Sequence, residues 1–275
     1  MRTIAHISDL HFGKLDLAVA EGLVDDLTRD PPSLVVASGD FTQRARAGQY
    51  REARAFLDRL PQPILAIPGN HDIPLYDIFR RFFFPLANYR RHITHDLRPV
   101  YRDDEMLVMG MNTARSFTPS FSGFWKDGAI SPEQLLEVER HAAETSPTLV
   151  KILVTHHPFI PPPGERIHGI VRGATTAMQT LEACGIDLLL AGHLHMGYSG
   201  DTRTHFEAAK RSILSIQAGT ATSTRRRSEP NAYNRITIED GRVTVDVREW
   251  RGSAFVSRIA RTFLRSADGW REEQA

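Results

Sequence analysis

The first half of this 275-residue chain alternates short apolar stretches with longer segments whose apolar residues recur at helical spacing. The stretches TIAHI, LVVAS and PILAI each have the length and composition of a buried strand, and they occupy residues 3–7, 34–38 and 63–67. Helical patterns follow them at residues 17–28, 49–60 and 75–84. This repeated order predicts parallel strands joined by crossover helices, because a tight turn cannot connect two parallel strands.

The second half continues this pattern and then changes character. A helix at 132–144 and another near 174–184 accompany buried strands at 149–154 and 186–191. The stretches RSILSIQ, AYNRITIED and RVTVDVREW then show strand periodicity, and EDG predicts a hairpin turn. We therefore expect an α/β half with parallel strands to meet a more antiparallel β half.

The last stretch, residues 252–275, is harder to assign. Phe255, Ile259 and Phe263 share a helical face, and arginines surround it. We expect a terminal element packed on the core with a solvated basic face, the alternative being a helix on a membrane surface. The sequence shows no linker, so we expect a single domain over residues 1–275, with 252–275 as a possible C-terminal extension.

Composition excludes several classes of protein. The chain carries 34 basic and 33 acidic residues, which argues against a stable complex with nucleic acid. Cys184 is the only cysteine, so no intrachain disulfide can form. No secretory signal is visible, and no apolar run approaches the ~20 residues of a membrane span. We expect a cytoplasmic protein, and a homo-oligomer remains possible.

Residues of types that commonly bind metals follow the five predicted buried strands that lie outside the antiparallel half. They are Asp9 and His11, then Asp40, then Asn70, His71 and Asp72, then His156 and His157, and finally His193 and His195. Ligands of open α/β sheets bind at the carboxyl edge of the strands, so these side chains are expected to converge there. Independent turns would have no reason to carry only such residues, and the sequence therefore predicts a shared metal site.

Spacing and residue type refine this prediction. Residues two apart on an extended chain point the same way, so Asp9 and His11 are expected to face one ion, and so are His193 and His195. Gly39, Gly69 and Gly192 precede ligand positions and are expected to permit sharp turns. Asp, His and Asn suit Mn, Fe or Zn, and the absence of a thiolate argues against a structural zinc site.

The motifs D-x-H at 9–11, G-D at 39–40, G-N-H-D at 69–72, His156 and G-H-x-H at 192–195 together resemble the calcineurin-like metallophosphoesterase family. The stretches HISDLHFG and HHPF are similar to the bacterial class III cyclic-nucleotide and glycerophosphodiester phosphodiesterases. The resemblance implies a four-layer α/β/β/α sandwich of two mixed sheets. It also implies a centre of two metal ions, each Mn, Fe or Zn.

The resemblance further implies a role for each motif residue. Asp9, His11 and His195 would hold one ion, Asn70, His156 and His193 would hold the other, and Asp40 would bridge them. A metal-bridging hydroxide would attack phosphorus in line. His71 would protonate the leaving alkoxide and Asp72 would orient His71, while His157 is left as a structural or supporting residue.

The expected activity is hydrolysis of a small phosphodiester, with a cyclic nucleotide such as 3′,5′-cAMP as the first candidate and a glycerophosphodiester as the next. A nucleotide-sugar or lipid pyrophosphatase and a phosphomonoesterase are the alternatives on the same site. A nuclease is disfavoured because the chain lacks net basic charge and an appended DNA-binding segment. A non-catalytic scaffold that only binds metal is the alternative from another class.

Three further features bear on the substrate. Arg225, Arg226 and Arg227 form a basic stretch that could receive a phosphate, the alternative being a solvated charged loop. His168 lies in the Pro-rich stretch after His156 and could touch substrate. Three aromatic residues in an irregular stretch could line a substrate pocket, although aromatic side chains more often serve packing; they are Phe121, Phe124 and Trp125.

Overall fold

Two β-sheets stacked face to face, with helices on both outer faces, form the computed structural model of this protein. It describes residues 1–117, 127–161, 169–206, 211–225 and 229–273. Its strands are β1 (Arg2–Ile7), β2 (Leu34–Ala37), β3 (Ile64–Ala66), β4 (Val100–Arg102), β5 (Met106–Gly110), β6 (Val150–Val154), β7 (Leu188–Ala191), β8 (Tyr198–Asp201), β9 (Leu214–Gln217), β10 (Ala232–Glu239), β11 (Arg242–Trp250), β12 (Phe255–Ser266) and β13 (Gly269–Glu272). Its helices are α1 (Leu17–Arg29), α2 (Ala47–Leu57), α3 (Ile78–Phe83), α4 (Ala87–His92), α5 (Pro132–Ala143) and α6 (Ala174–Ala183).

Both sheets are mixed. The first has the strand order β13-β12-β11-β10-β1-β2-β3, in which β1, β2 and β3 are parallel and the other strands pair antiparallel. The second has the order β4-β5-β6-β7-β9-β8, with four parallel strands in the middle and an antiparallel strand at each edge. The parallel strands are therefore divided between two sheets, and the antiparallel C-terminal strands extend the first of them.

Successive side chains of a strand point to opposite faces of its sheet, so each sheet can pack against a layer on either side. Ile4, Leu34 and Val36 of the first sheet pack against apolar side chains of β5, β6 and β7, which fills the space between the sheets. The opposite face of the first sheet packs against α1 and α2, and the outer face of the second packs against α5 and α6. This is the predicted four-layer α/β/β/α sandwich.

Local sequence signals explain where the helices begin. Ser131 accepts a hydrogen bond from the backbone of Gln134, the Gln134 side chain bonds back to the Ser131 backbone, and Pro132 occupies the first helical position of α5. Asp16 caps α1 through the backbone N–H of Val19. Within the described residues, no helix is long and apolar enough to span a bilayer.

The helical face assigned to Phe255, Ile259 and Phe263 in the stretch 252–275 is wrong, because Phe255–Ser266 is strand β12 and pairs with β11 and β13. A bulge opposite Val247 and Arg248 interrupts the pairing. Phe255 therefore packs on the helix side of the first sheet, while Phe263 packs between the sheets. The terminal element does pack on the core as expected, but as part of a sheet.

Candidate metal centre

The predicted ligands lie on loops that leave the carboxyl ends of β1, β2, β3, β6 and β7. The loops after β1 and β2 are tied together, since the backbone N–H groups of Asp9 and His11 donate to the carbonyls of Gly39 and Asp40 at 3.1 and 2.9 Å. Strands of both sheets thus contribute to one site.

The backbone of these loops is strained at the candidate ligands. Five of them have left-handed backbone conformations, which non-glycine residues rarely adopt; they are Asp9 (φ 55°), His11 (φ 50°), Asp40 (φ 56°), His193 (φ 74°) and His195 (φ 58°). The explanation from extended-chain spacing is therefore wrong. Its conclusion holds for Asp9 and His11 but not for His193 and His195, whose imidazoles lie in different groups. Asp9 and His11 face the same point because each occupies a tight turn. Such strain costs about 1–3 kcal/mol per residue and is typical of functional sites.

The glycines serve two different purposes. Gly39 has φ +100° and does supply a turn. Gly69 has an extended backbone, and its hydrogen faces the backbone and carboxylate of Asp40 at a distance that leaves no room for a Cβ atom. Gly192 likewise lies against Ser8 and Asp9. Close approach between loops, rather than turn geometry, requires glycine at these last two positions.

The first group of candidate ligands surrounds Asp9. Its carboxylate Oδ1 lies 3.5 Å from Nε2 of both His11 and His195, while its Oδ2 accepts the backbone N–H of His193 at 3.0 Å. The two imidazole rings stack at 5.1 Å between centroids. The Nδ1 of His195 lies 2.6 Å from Thr220 Oγ1, so Nε2 faces the site.

The second group surrounds His156, which is fully buried. Its Nδ1 donates to the carbonyl of Ser38 at 2.8 Å, and its Nε2 lies 3.2 Å from Asn70 Oδ1. That oxygen is also 3.0 Å from His193 Nδ1. Asn70, His156 and His193 therefore converge as the sequence predicted.

Asp40 lies between the two groups. Its Oδ2 is 3.7 Å from His11 Nε2 and 3.4 Å from His156 Nε2. Its Oδ1 is held by the backbone N–H of His71 at 2.8 Å. One carboxylate oxygen thus faces an imidazole from each group, as a bridging ligand would.

These residues fit a pair of metal ions. Asp9 Oδ1 and His11 Nε2 are buried and have no hydrogen-bond partner among the described residues, although each faces the centre of the first group. Leaving such atoms unsatisfied is costly unless a cation occupies the space between them. The His, Asp and Asn donors match Mn, Fe or Zn, and sets that include Asp9, His11 and His195, and Asp9, Asp40 and His156, are compact enough to hold an ion.

The electrostatics of the site favour cations. Burial would raise the pKa of Asp40, but the charges of His156 and His71 hold it well below its usual range. Burial would likewise lower the pKa of His156, but Asp40 outweighs that effect and raises it to about 9. Burial lowers the pKa of His193 to about 3. In the metal-free protein a proton on His156 therefore balances the buried carboxylates, and a metal ion would replace it.

His71 lies beside these groups and faces a cleft. Its Nδ1 is 3.1 Å from the carbonyl of Gln43, and its Nε2 is 3.1 Å from Nη1 of Arg225. Because the Gln43 carbonyl can only accept a hydrogen bond and the Arg225 guanidinium can only donate one, the His71 ring is held as the neutral tautomer. This tautomer carries its proton on Nδ1 and a lone pair on Nε2. Burial lowers the pKa of His71, and Arg225 adds to that effect.

Asp72 does not touch the His71 ring. Its carboxylate accepts the backbone N–H groups of Phe41, Thr42 and Gly69 at 3.1, 2.9 and 3.0 Å. Direct orientation of the imidazole by Asp72 is therefore not what the structure shows. Asp72 instead fixes the loop after β2 against the loop after β3, and Gln43 is the ring's partner.

The remaining predicted residues are one that is buried beside the site, one that lies in the cleft, and several that lie outside the described part of the chain. His157 is buried, lies 2.8 Å from Thr113 Oγ1 through Nδ1, and packs against His193 with ring centroids 4.5 Å apart. Arg225 lies in the cleft. The predicted residues that lie outside the described part of the chain are His168, Arg226 and Arg227, together with Phe121, Phe124 and Trp125.

The sequence interpretation missed the residues that orient the ligands. Thr220 positions His195, and the Ser38 carbonyl positions His156. A backbone carbonyl leaves no trace in residue identity, and Thr220 lies far from every motif along the chain, so only the fold brings these groups to the site.

A cleft of about 550 Å³ opens beside Asn70 and His71. Among the residues that the structure describes, its walls carry five cationic side chains and no acidic one; the cations are Lys14, Arg44, Arg46, Arg81 and Arg225. An anionic ligand would therefore be attracted to this cleft.

Comparisons with known proteins agree with this geometry. The family model described as calcineurin-like phosphoesterase matches residues 2–197. A glycerophosphodiester phosphodiesterase of Enterobacter lignolyticus is 30% identical over 169 residues, which span 58% of this chain and 57% of that protein. A probable cyclic nucleotide phosphodiesterase of Synechococcus is 26% identical over 212 residues, which span 71% of this chain and 74% of that protein.

Solved structures support the fold. A purple acid phosphatase from yellow lupin seeds superimposes with a TM-score of 0.70 at 10% identity, covering 95% of this chain and 53% of that one. A dimetal phosphatase from Danio rerio superimposes with a TM-score of 0.66 at 13% identity, covering 90% of this chain and 96% of that one.

Proposed function

This chain belongs to the calcineurin-like phosphoesterase family, and we propose that it is a metal-dependent phosphoester hydrolase that cleaves a phosphodiester with two metal ions. The observation that carries the proposal is the position of Asp40, whose Oδ2 faces His11 of one ligand group and His156 of the other. Two ions held so close together suit the displacement of an alkoxide from phosphorus.

The residues divide between the two ions as follows. Asp9, His11 and His195 would hold one, Asn70, His156 and His193 would hold the other, and Asp40 would contact both. When bound, such ions lower the pKa of water and neutralise negative charge on phosphoryl oxygens. Thr220 and the Ser38 carbonyl hold Nδ1 of His195 and His156, so that Nε2 of each imidazole would be the atom that binds an ion.

His71 would supply the proton for the leaving group. In the proposed step, a water molecule releases one proton to solvent and forms the new P–O bond, and the ester P–O bond breaks. The departing alkoxide takes a proton from Nε2 of His71, which has itself been protonated there from solvent, so that the products are one monoester and one alcohol. Because Nε2 accepts from Arg225 in the resting site, that guanidinium has to turn toward the substrate phosphate before Nε2 can carry a proton. Arg225 and Lys14 would hold the anionic oxygens of the substrate.

Substrate class follows from the cleft and from the relatives. A cyclic nucleotide and a glycerophosphodiester are the two candidates, because one relative is named for each. Both are small enough for a cleft of about 550 Å³, and both are anionic.

The test is a substrate panel with manganese-loaded protein, comprising 3′,5′-cAMP, glycerophosphodiesters, nucleoside diphosphate sugars, phosphomonoesters and bis(p-nitrophenyl) phosphate. We expect diester hydrolysis that stops on chelation and returns with manganese. Faster hydrolysis of monoesters or of diphosphate sugars would overturn the diesterase assignment. Bound metal without hydrolysis of any of these substrates would instead indicate a metal-binding scaffold.

A further inference from the structure

The short helix α3 presents its apolar side chains to solvent and buries one of its two arginines, Arg81. Ile78, Phe79, Phe82 and Phe83 are 60%, 63%, 53% and 67% exposed, whereas Arg81 is 5% exposed. The guanidinium of Arg81 donates to the backbone carbonyls of Ser116 and Pro74 at 2.8 and 2.9 Å. This is the reverse of an ordinary surface helix, whose apolar face is buried.

The exposed rings of Phe79, Phe83 and Phe84 pack against one another, and the other exposed apolar side chains lie in the same segment, residues 76–84. Phe79 contacts Phe83 and Phe84 with ring centroids 4.9 and 6.1 Å apart, and Tyr76 and Phe84 are 73% and 57% exposed. We call this set the aromatic surface; it comprises Tyr76, Ile78, Phe79, Phe82, Phe83 and Phe84. Soluble monomers rarely expose contiguous apolar side chains on this scale, and such patches mark docking sites.

The aromatic surface borders the candidate active site. It lies in the segment that directly follows the Asn70–Asp72 turn, and Leu75 and Arg81 of this segment line the cleft beside His71. The guanidinium of Arg44, which also lines that cleft, lies 4.9 Å from the ring centre of Tyr76. Whatever covers the aromatic surface would therefore also cover the rim of the cleft.

Charge around the aromatic surface indicates what covers it. Besides the buried Arg81, residues 74–92 contain three exposed arginines, Arg80, Arg90 and Arg91. Their single acidic residue is Asp77, which caps α3 and lies 3.5 Å from Arg80. Arg80 and Arg91 line a second, smaller cleft together with Phe84. A second copy of the chain docked through this face would bring like charges together, whereas an anionic lipid bilayer would attract the arginines and accept the aromatic rings.

We propose that the aromatic surface docks on an anionic lipid bilayer and so presents the cleft to the phosphodiester headgroup of a membrane lipid. The substrate part of this proposal rests on the proposed function, and the docking part does not. The phenyl rings would enter the interface, the arginines would pair with lipid phosphates, and the headgroup of a glycerophospholipid would reach His71 from the membrane side.

The test is co-sedimentation with vesicles of phosphatidylcholine, with and without phosphatidylglycerol. We expect the manganese-loaded protein to bind the anionic vesicles and to be released by salt. The double variant Phe79→Glu/Phe83→Glu should bind about tenfold less or weaker still. The control Leu136→Glu changes an equally exposed apolar residue on α5, 63% exposed, and should bind as the wild type does.

A second variant, Arg80→Glu/Arg91→Glu, alters charge without touching a ring and should also reduce binding. All three variants should hydrolyse soluble bis(p-nitrophenyl) phosphate as the wild type does, which shows that they are folded. Absence of wild-type vesicle binding, or unchanged binding by Phe79→Glu/Phe83→Glu, would overturn the proposal. A dimer that this variant disrupts, without vesicle binding, would identify a second copy as the occupant.

Different results would refute the phosphodiesterase function and the docking of the aromatic surface on a bilayer. Vesicle binding without hydrolysis of soluble diesters would refute the phosphodiesterase function and retain the docking surface. Hydrolysis of soluble diesters without vesicle binding would do the opposite. Vesicle binding with hydrolysis of soluble diesters but not of glycerophospholipids would retain docking and overturn the lipid substrate.

Discussion

At the scale of single residues, several candidate ligands have a strained backbone, and their carboxylates are held by backbone hydrogen bonds. Asp9 and Asp40 each use one carboxylate oxygen to accept a backbone N–H, from His193 and His71 respectively. The other oxygen of each is thereby aimed at the imidazoles. These backbone hydrogen bonds hold the candidate ligand atoms in place, which reduces the cost of reorganising them when a metal ion binds.

Replacing His71 by alanine should separate proton transfer from metal binding. Because general acid catalysis contributes about 10²–10⁴-fold, we expect a loss of that order in kcat for an alkyl phosphodiester. The loss should be much smaller for bis(p-nitrophenyl) phosphate, whose leaving group departs readily without a proton. Metal content, measured by inductively coupled plasma mass spectrometry, should not change.

The exposed His95 offers a matched control, and His95→Ala should behave as the wild type does on both substrates. An equal loss on the two substrates in His71→Ala would contradict the assignment of His71 as the proton donor. It would point instead to a role in binding the phosphate.

Metal binding should strengthen as pH rises. The pKa of His156 is raised to about 9 by its carboxylate neighbours, so below that pH a metal ion has to displace its proton. Burial lowers the pKa of His193 to about 3, and that imidazole has no proton to release near neutrality. We expect the manganese association constant to rise by up to about tenfold per pH unit toward pH 9. Calorimetry in buffers of different ionisation enthalpy measures the proton released, and no release at pH 7 would contradict this picture.

Sequence patterns were sufficient to predict which side chains converge but not the reason they converge. The seven candidate ligands lie together in the structure; they are Asp9, His11, Asp40, Asn70, His156, His193 and His195. Left-handed backbone at Asp9 or His193 leaves no signal in residue type, because it is imposed by neighbouring loops. The contact between His71 and Gln43 escaped prediction for the same reason.

At the scale of elements, the strand ends have to approach each other closely. The loop after β7 passes against the loop after β1, with Gly192 in contact with Ser8 and Asp9. This contact joins the two sheets at the candidate metal centre, and any added atom at Gly192 has to move one of them.

Two glycine substitutions should therefore have opposite effects. In Gly192→Ala the new Cβ would overlap Ser8 Oγ and lie 2.7 Å from Asp9 Oδ2, so we expect about 1–3 kcal/mol lower free energy of unfolding and weaker metal binding. In Gly48→Ala, on α2, the nearest atom is 3.9 Å away, and we expect stabilisation of about 0.5 kcal/mol. Urea denaturation measures both, and a Gly192→Ala protein as stable as the wild type would contradict the close approach.

Periodicity predicted the elements of the sandwich core well and misassigned the C-terminal strand. A spacing of four between Phe255, Ile259 and Phe263 fits one face of a helix, but an even spacing also fits one face of a strand. The bulge in β12 then places Phe255 and Phe263 on opposite faces of the sheet. No residue type marks the bulge, since its position is set by pairing with β11.

At the scale of the whole molecule, the candidate metal centre joins the two sheets. Asp9, His11 and Asp40 come from the first sheet, and His156, His193 and His195 come from the second. Metal ions held by both would stabilise the stacked arrangement, because only the folded chain brings the two sets together.

Removing metal should therefore lower the melting temperature. At a free metal concentration of 100 times Kd, one site adds about 2.7 kcal/mol to the free energy of unfolding. We expect manganese to raise the Tm of the wild type and a chelator to reverse the change. In Asp40→Ala the shift should be much smaller, while His95→Ala should match the wild type. An equal shift in Asp40→Ala would show that metal binds elsewhere.

The most direct test of the two-metal account is anomalous diffraction from crystals of the manganese-loaded protein. We predict two anomalous peaks about 3.5–4 Å apart, one among Asp9, His11 and His195 and the other among Asn70, His156 and His193, with Asp40 bonded to both. A single peak, or two peaks of which Asp40 contacts only one, would contradict it.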